Sequence, residues 1–471
     1  MNLKVISRNV GFALLASAFF MFLSILVSIS NGNDSALAAL IISFTITFIV
    51  GIFPFIFVRK SPNISLKDGY MIIVLSWTLS FIFGMLPYVL WGGPFSVINA
   101  LFEAVSGYTT TGGTVLANVE QLPDSLLFWR SSTHFIGGLG VVVFLLLIIP
   151  SSSPVRLRLT NMEVSSLSRE GYKTRTNKTV WVFTAVYFGI AICAFLCYWL
   201  SGMSPFDAIN HAFAVTATGG FSTKNLSIAS FGSPLINIVT IFFMFISSIH
   251  FGIIYMVFAS RSFKPLNNPV LKFYAGTILV AALLVAFSLK MSSAGFTWGE
   301  SFMTGFFQVV SSISTTGFAI SDNNTWPLFA CIITVLITVP CGMAGSTTGG
   351  IKMDRMLLMF KSVGQQVKSS TVEIPKPVSF FQPPKESRYV FQPAASMALT
   401  ILSGMDVQNS LASSISCLSN VGPAMESAGT MGNYSGVPVL AKIVFIVDMF
   451  LGRVEIYPVL AVVTMAFSGR K

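Results

Sequence analysis

The sequence predicts an all-α polytopic membrane protein: four pseudo-symmetric helix–pore loop–helix repeats around one central pore, preceded by two extra transmembrane helices. Three observations predict it: the composition, a glycine-centred turn that recurs four times in one register, and a second register in the helices after those turns.

Hydrophobic residues make up 54% of the 471 positions and charged residues 10%. Mean hydropathy is +0.77, outside the range of soluble domains. Apolar stretches long enough to cross ~30 Å of hydrocarbon lie near 10–30, 36–58, 69–91, 128–150, 179–200, 234–259, 269–290, 326–343 and 437–463. A further stretch near 387–403 is interrupted by Gln392 and Pro393. The first stretch follows Lys4 and Arg8 and runs on to Ile29 without a small-residue cleavage site, so it is expected to be a retained helix.

Segments 96–107, 206–217, 299–313 and 408–418 are too short to span and too apolar for ordinary loops, which predicts re-entrant half-helices. If each returns to the side it left, most of the 28 Lys and Arg residues fall on one face, at 1–9, 59–68, 151–178, 260–272, 352–388 and 469–471. That face, with both termini, is then the cytoplasmic one. The net charge of +11 is thus a topology signal, reinforced by anionic membrane lipid, and calls for no nucleic-acid partner. Cys193, Cys197, Cys331, Cys341 and Cys417 occupy apolar or pore segments in odd number, so no disulfide framework is implied. Cys193 and Cys197 stand one helical turn apart without a neighbouring His or acid, which favours packing over a metal site.

The recurrent turn reads ALFEAVSGYTTTGG, AINHAFAVTATGGF, GFFQVVSSISTTGF and SLASSISCLSNVGP. Ala100, Ala208, Gly305 and Ser410 stand equally far before Gly112, Gly220, Gly317 and Gly422. The unit repeats every ~100 residues. The following helices, HFIGGLGVVVF, SIHFGIIYMVF, CGMAGSTTGGI and MFLGRVEIYPV, align Gly138, Gly252, Gly345 and Gly452. The expected divisions are 1–66 for the two leading helices, then 67–155, 156–265, 266–370 and 371–471 for the four units. In the third unit VPCGMAGSTTGGIK, residues 339–352, breaks the second helix; irregular backbone at membrane depth must be buried in protein or line a wet cavity. In the fourth, 374–395 is rich in proline and charge where a first helix is expected, so that helix is either short and distorted or atypical.

Re-entrant turns of this kind suit a cation. Backbone carbonyls replace its hydration shell, glycine allows the dihedrals that turn them inward, and the half-helices end there with their negative poles. The candidate ligand set is Thr110, Thr111, Gly112, Thr218, Gly219, Gly220, Thr315, Thr316, Gly317, Asn420, Val421 and Gly422, with Thr109, Ser314 and Ser419 beside it. Glu103, in the column of His211, Gln308 and Ser413, either holds the first turn by accepting backbone hydrogen bonds or adds negative field near the ion. His134 and His250 are expected to bond between helices, since no ligand cluster surrounds them. Three histidines and few membrane carboxylates give no catalytic constellation, so no enzyme is predicted.

SGYTTTGGT, ATGGFST, SSISTTGF and SNVGPA resemble the four selectivity-filter segments of the Trk/Ktr/HKT superfamily of potassium transporters, and the resemblance runs through nearly the whole chain. The two leading helices and RSSTHFIGGLG are more similar to its TrkH/TrkG branch than to the shorter KtrB proteins. The resemblance implies potassium uptake across a bacterial inner membrane through a gated, channel-like pore with one filter glycine per repeat. K⁺ is then the transported ion, Rb⁺ its congener, and this chain needs no organic cofactor. It also implies a homodimer and a cytoplasmic nucleotide-binding regulatory ring of TrkA type, supplied by another chain.

The interruption of the third unit resembles the family's intramembrane gate loop, here Gly342, Gly345, Ser346, Thr347, Thr348, Gly349 and Gly350; a helix kink against a neighbour is the other reading. GSTTGGIK also approaches a phosphate-binding loop but lacks the G-K-[ST] ending and a preceding strand. Arg453 matches the family's pore-facing arginine in the last helix. It is either part of the gate, raising the barrier to a cation, or a structural partner of Asp448 or Glu455. Two other classes stay open: a carrier coupling K⁺ to Na⁺ or H⁺, and a non-conducting homologue of the same fold.

Overall fold

The computed structural model describes residues 2–59, 65–140, 176–292, 295–370, 387–454 and 456–468. The basic connection at 151–178, the end of the expected 128–150 span, most of 374–395 and Glu455 lie partly or wholly outside the described residues.

Two long helices lead, α1 (Leu3–Ser30) and α2 (Leu37–Phe57). They cross closely because Gly11 faces the Gly51 carbonyl; a Cβ at Gly11 would lie 2.6 Å from that oxygen. Unit one follows with α3 (Leu66–Gly84), a short α4 (Leu86–Trp91), the half-helix α5 (Val97–Tyr108) and α6 (Asp124–Leu139). Pro87 at the start of α4 explains the break at Met85 in the expected 69–91 span, since proline supplies no N–H to the preceding turn.

Unit two contains α7 (Thr176–Leu200), half-helix α8 (Pro205–Ala217), α9 (Pro234–Ser247) and α10 (Phe251–Ser260). Unit three contains α11 (Pro269–Met291), half-helix α12 (Trp298–Ile313), α13 (Leu328–Leu336) and α14 (Met353–Ser370). Between α13 and α14, two short parallel strands, β1 (Pro340–Cys341) and β2 (Ile351–Lys352), close the neck of a loop. Unit four contains α15 (Ser387–Leu402), half-helix α16 (Val407–Ser419), α17 (Val439–Val454) and α18 (Ile456–Ser468). Its first helix is thus a short one with Pro393 inside it.

Each half-helix starts at a side-chain cap. Ser96, Ser204, Thr297 and Asp406 accept from the backbone N–H groups of Asn99, Asp207, Glu300 and Asn409, satisfying donors a helix start otherwise leaves open. Each half-helix packs on its own unit's first helix: α5 on α3, α8 on α7, α12 on α11 and α16 on α15. It also packs on the preceding unit's second helix, α6 with α8, α9 with α12, α13 with α16 and α17 with α5. The last pairing closes a ring.

Two expected spans are corrected. Of 326–343, only Leu328–Leu336 is α-helix before β1 begins at Pro340. Residues 234–259 form two helices meeting at 98°. Ser248 spends its hydroxyl on the Met244 and Phe245 carbonyls, and His250 Nδ1 accepts from Gly252 N–H at 2.9 Å to start α10. Those two polar side chains support a break that a mostly apolar run conceals.

Candidate functional site: a fourfold ring of turns and the loop against it

The four half-helices end in one turn geometry. Thr110, Thr218, Thr315 and Asn420 are left-handed, with φ of 54°, 54°, 53° and 57°, and the glycine two residues on has φ of 81°, 74°, 80° and 96°. A β-branched residue resists that conformation, so the surroundings must impose it. The same backbone bond does so each time: Thr111, Gly219, Thr316 and Val421 donate their N–H to the carbonyls of Ser106, Ala214, Ser311 and Ser416 at 2.9, 2.9, 2.9 and 3.0 Å. Three hydroxyls add a second clip. Ser106, Ser311 and Ser416 donate to the carbonyls of Gly113, Phe318 and Pro423 at 2.6, 2.6 and 2.7 Å, while the second unit has Ala214 in that place.

The turns form one closed circle. A Cβ on Gly112 would strike the Gly219 carbonyl oxygen, on Gly220 that of Thr316, on Gly317 that of Val421, and on Gly422 that of Thr111. Each glycine thus abuts the carbonyl preceding the next glycine, around all four units, and its lack of a side chain is what lets the backbones approach. All twelve residues of the predicted ligand set come together here. On the glycine side the ring opens into a polar cavity of ~70 Å³ lined by Gly112, Gly220, Gly317, Gly422 and residues that follow them.

Glu103 does not reach the ring; it supports the chain leaving the first turn. Its carboxylate accepts from Val115 N–H at 3.0 Å and Thr114 Oγ1 at 2.9 Å, and pairs with Arg130 at 2.8 Å, both side chains buried. These bonds are of the kind the scaffolding reading names. Arg130 further donates to the Ser222 carbonyl at 3.3 Å and lies 4.0 Å from the Phe221 ring centre, so it ties the first turn to the second. His134 does the same: its Nδ1 is 2.7 Å from the Gly107 carbonyl, and its Nε2 accepts from Phe221 N–H at 3.1 Å. These partners make it a neutral imidazole with the proton on Nδ1. His250, expected between helices, instead caps its own helix.

The predicted gate residues form the loop between β1 and β2, and it packs on the opposite end of the turns. Gly349 N–H donates to Thr315 Oγ1 at 3.0 Å, and a Cβ on Gly349 would meet the Ser419 carbonyl oxygen at 2.6 Å. Thr347 Oγ1 donates to the Thr216 carbonyl at 3.1 Å. The loop also plugs the break in unit two: Met343 N–H donates to the Ser248 carbonyl at 2.9 Å, and Phe251 N–H to the Gly345 carbonyl at 3.1 Å. Within the loop, Ala344 N–H donates to Asp354 Oδ2 at 2.7 Å, Ser346 Oγ lies 2.9 Å from Thr348 Oγ1, and Lys352 Nζ donates to the Thr348 carbonyl. The loop is folded, buried and held by fixed partners, as irregular backbone at membrane depth must be.

Arg453 is buried and bridges the loop to unit one, Nη1 donating to the Thr347 carbonyl at 2.6 Å and Nη2 to that of Gly137 at 3.2 Å. Asp448 accepts from Ser396 Oγ at 2.7 Å; Glu455 lies outside the described residues. The register of the second helices needs one correction. Gly137 abuts the Tyr108 carbonyl as Gly452 abuts that of Leu418, carbonyls that each stand four residues before a ring glycine. Gly137, not Gly138, is therefore the contact equivalent of Gly452.

Residues missed from sequence include Arg130, Ser248 and the three clip serines. Arg130 carries a legible signal, a lone arginine in an apolar helix that must find a carboxylate, with Glu103 equally lone.

These features define a class: a helical membrane protein whose four re-entrant turns close into one ring, with a structured loop against it. Residues 37–380 match the TrkH family model, described as a cation transport protein. The chain is 30% identical to the Trk system potassium uptake protein TrkH of Escherichia coli (strain K12), covering 99% of both chains. It is 32% identical to the Trk system potassium uptake protein TrkI of Halomonas elongata, covering 96% of this chain and 94% of that one. The crystal structure of the potassium transporter TrkH from Vibrio parahaemolyticus superposes with a TM-score of 0.85 at 29% identity, covering 98% of both chains. The chain belongs to the TrkH family.

Proposed function

We propose that this chain takes up potassium across a bacterial inner membrane, as a gated, channel-like pore whose selectivity filter is the ring of Gly112, Gly220, Gly317 and Gly422. The observation that carries the proposal is the closure of that ring, each glycine against the carbonyl before the next. Four inward backbone segments at one level supply oxygens to a dehydrating cation, and the half-helix C-termini favour positive charge there. The names of the relatives support potassium as the ion.

The loop from Gly342 to Gly350 is the gate, and Arg453 both fastens it and sets a positive charge near the cation path. The basic loops support cytoplasmic termini. The family resemblance extends the proposal to a homodimer regulated by a nucleotide-binding ring of TrkA type. The test is ⁸⁶Rb⁺ uptake into liposomes bearing purified protein, with and without such a ring. Saturable uptake abolished by Gly112→Ser supports the filter; absence of uptake from folded protein under both conditions makes the chain a non-conducting homologue.

A further inference from the structure

The four left-handed residues that precede the filter glycines have different fates. Thr218 donates its hydroxyl to the neighbouring Ala217 carbonyl at 2.7 Å. Asn420 donates to Thr111 Oγ1 at 3.0 Å and to the Met449 carbonyl at 2.9 Å, so it joins units one and four. Thr315 alone among the four accepts, through its side chain, a bond from the gate loop, Gly349 N–H at 3.0 Å. Its own φ of 53° is one that threonine resists. Gly349 is placed for this contact by its neighbours: Thr347 is held at its hydroxyl by the Thr216 carbonyl and at its carbonyl by Arg453.

We propose that Thr315 is a positioning residue that latches the gate to the filter: its Oγ1 holds the loop shut through Gly349 N–H, and opening the loop releases the third filter turn. The inference rests on the gate reading above. Closure and filter geometry are then two ends of one equilibrium, so whatever biases either biases the other. Removing the acceptor leaves a buried N–H without a partner in the shut state only. That destabilises closure and raises flux, whereas mere damage to the filter lowers it.

The experiment compares wild type, Thr315→Val, Thr315→Ser and Arg453→Ala by two readouts: ⁸⁶Rb⁺ leak into liposomes without any regulatory partner, and hydrogen exchange of the Gly349 amide. Thr315→Val is expected to raise the leak on the order of tenfold and to strip protection from the Gly349 amide. Thr315→Ser, which keeps the acceptor oxygen, is expected to return both most of the way to wild type. A leak within about twofold of wild type in Thr315→Val, while Arg453→Ala leaks, overturns the latch. A leak equally raised in the serine variant does so too. If no variant conducts, the pore reading fails, and the exchange readout decides the latch separately: Gly349 protection kept in Thr315→Val overturns it, and protection lost there but kept in Thr315→Ser supports it.

Discussion

The ring of turns and the layer of second helices against it follow opposite rules. In the ring, four segments of different sequence reach one geometry, with a left-handed residue at the same position, the same backbone bond and the same glycine contact. In the second helices, four aligned segments take four forms. The described part of α6 is continuous, unit two breaks at 98°, unit three becomes a loop, and α17 carries a buried arginine. Symmetry in the ring suits the proposed filter, in which backbone carbonyls from all four units would replace a cation's hydration shell. The proposed gate would need the reverse, since a moving piece, its socket and its fastener cannot be the same element.

Replacing a ring glycine attacks the symmetric part and is expected to do most. Gly112→Ser or Gly317→Ser forces a side chain into the next unit's carbonyl at a positive φ, costing about 1–3 kcal/mol in strain, and ⁸⁶Rb⁺ uptake is expected to fall to background. Retained uptake in either variant breaks the claim that the ring is the filter. Next comes the support of the ring. Arg130→Ala leaves Glu103 buried without its cation and is expected to destabilise the protein by about 3–5 kcal/mol; the joint replacement Glu103→Gln with Arg130→Gln is expected to recover part of that in a thermal melt.

The asymmetric layer responds with the opposite sign. Arg453→Ala removes two charge-assisted bonds, one of them to the loop, and is expected to raise the partner-free leak by about ten- to hundredfold, on a loss of ~1.5–3 kcal/mol from the shut state. Unchanged or lower leak in folded protein counts against Arg453 as fastener. The smallest test sharpens the symmetry itself. Ala214→Ser supplies the clip that units one, three and four already have, and is expected to stabilise by about 0.5–1.5 kcal/mol, seen as a slightly raised melting temperature with flux retained; Ser106→Ala is expected to lose a similar amount.

What was legible in the sequence follows the same division. The ring was legible because glycine, a short apolar half-helix and flanking hydroxyls recur in one register, and repetition turns a weak turn signal into a strong one. The loop was legible because glycines and hydroxyls cannot continue an apolar helix. The break in unit two was not, since 234–259 is mostly apolar and only the short run from Ser247 to Gly252 marks it. The loop it receives, from Met343 to Gly345, stands far along the chain, and hydropathy carries no such information. Glu103 and Arg130 were each visible as isolated charges, but their pairing is a fact of packing between half-helix and second helix.

The socket in unit two has a further consequence. The Ser248 carbonyl and the Phe251 amide are finished by the loop and by nothing in their own helices, so a departing loop must hand them to another partner. If water entered as the loop left, it would take over both bonds and the exchange would be close to free; if the surroundings stayed dry, each orphaned group would oppose the movement. If the loop is the gate proposed above, solvent entry and loop movement are coupled, and the dryness around the loop adds to the bonds that hold it.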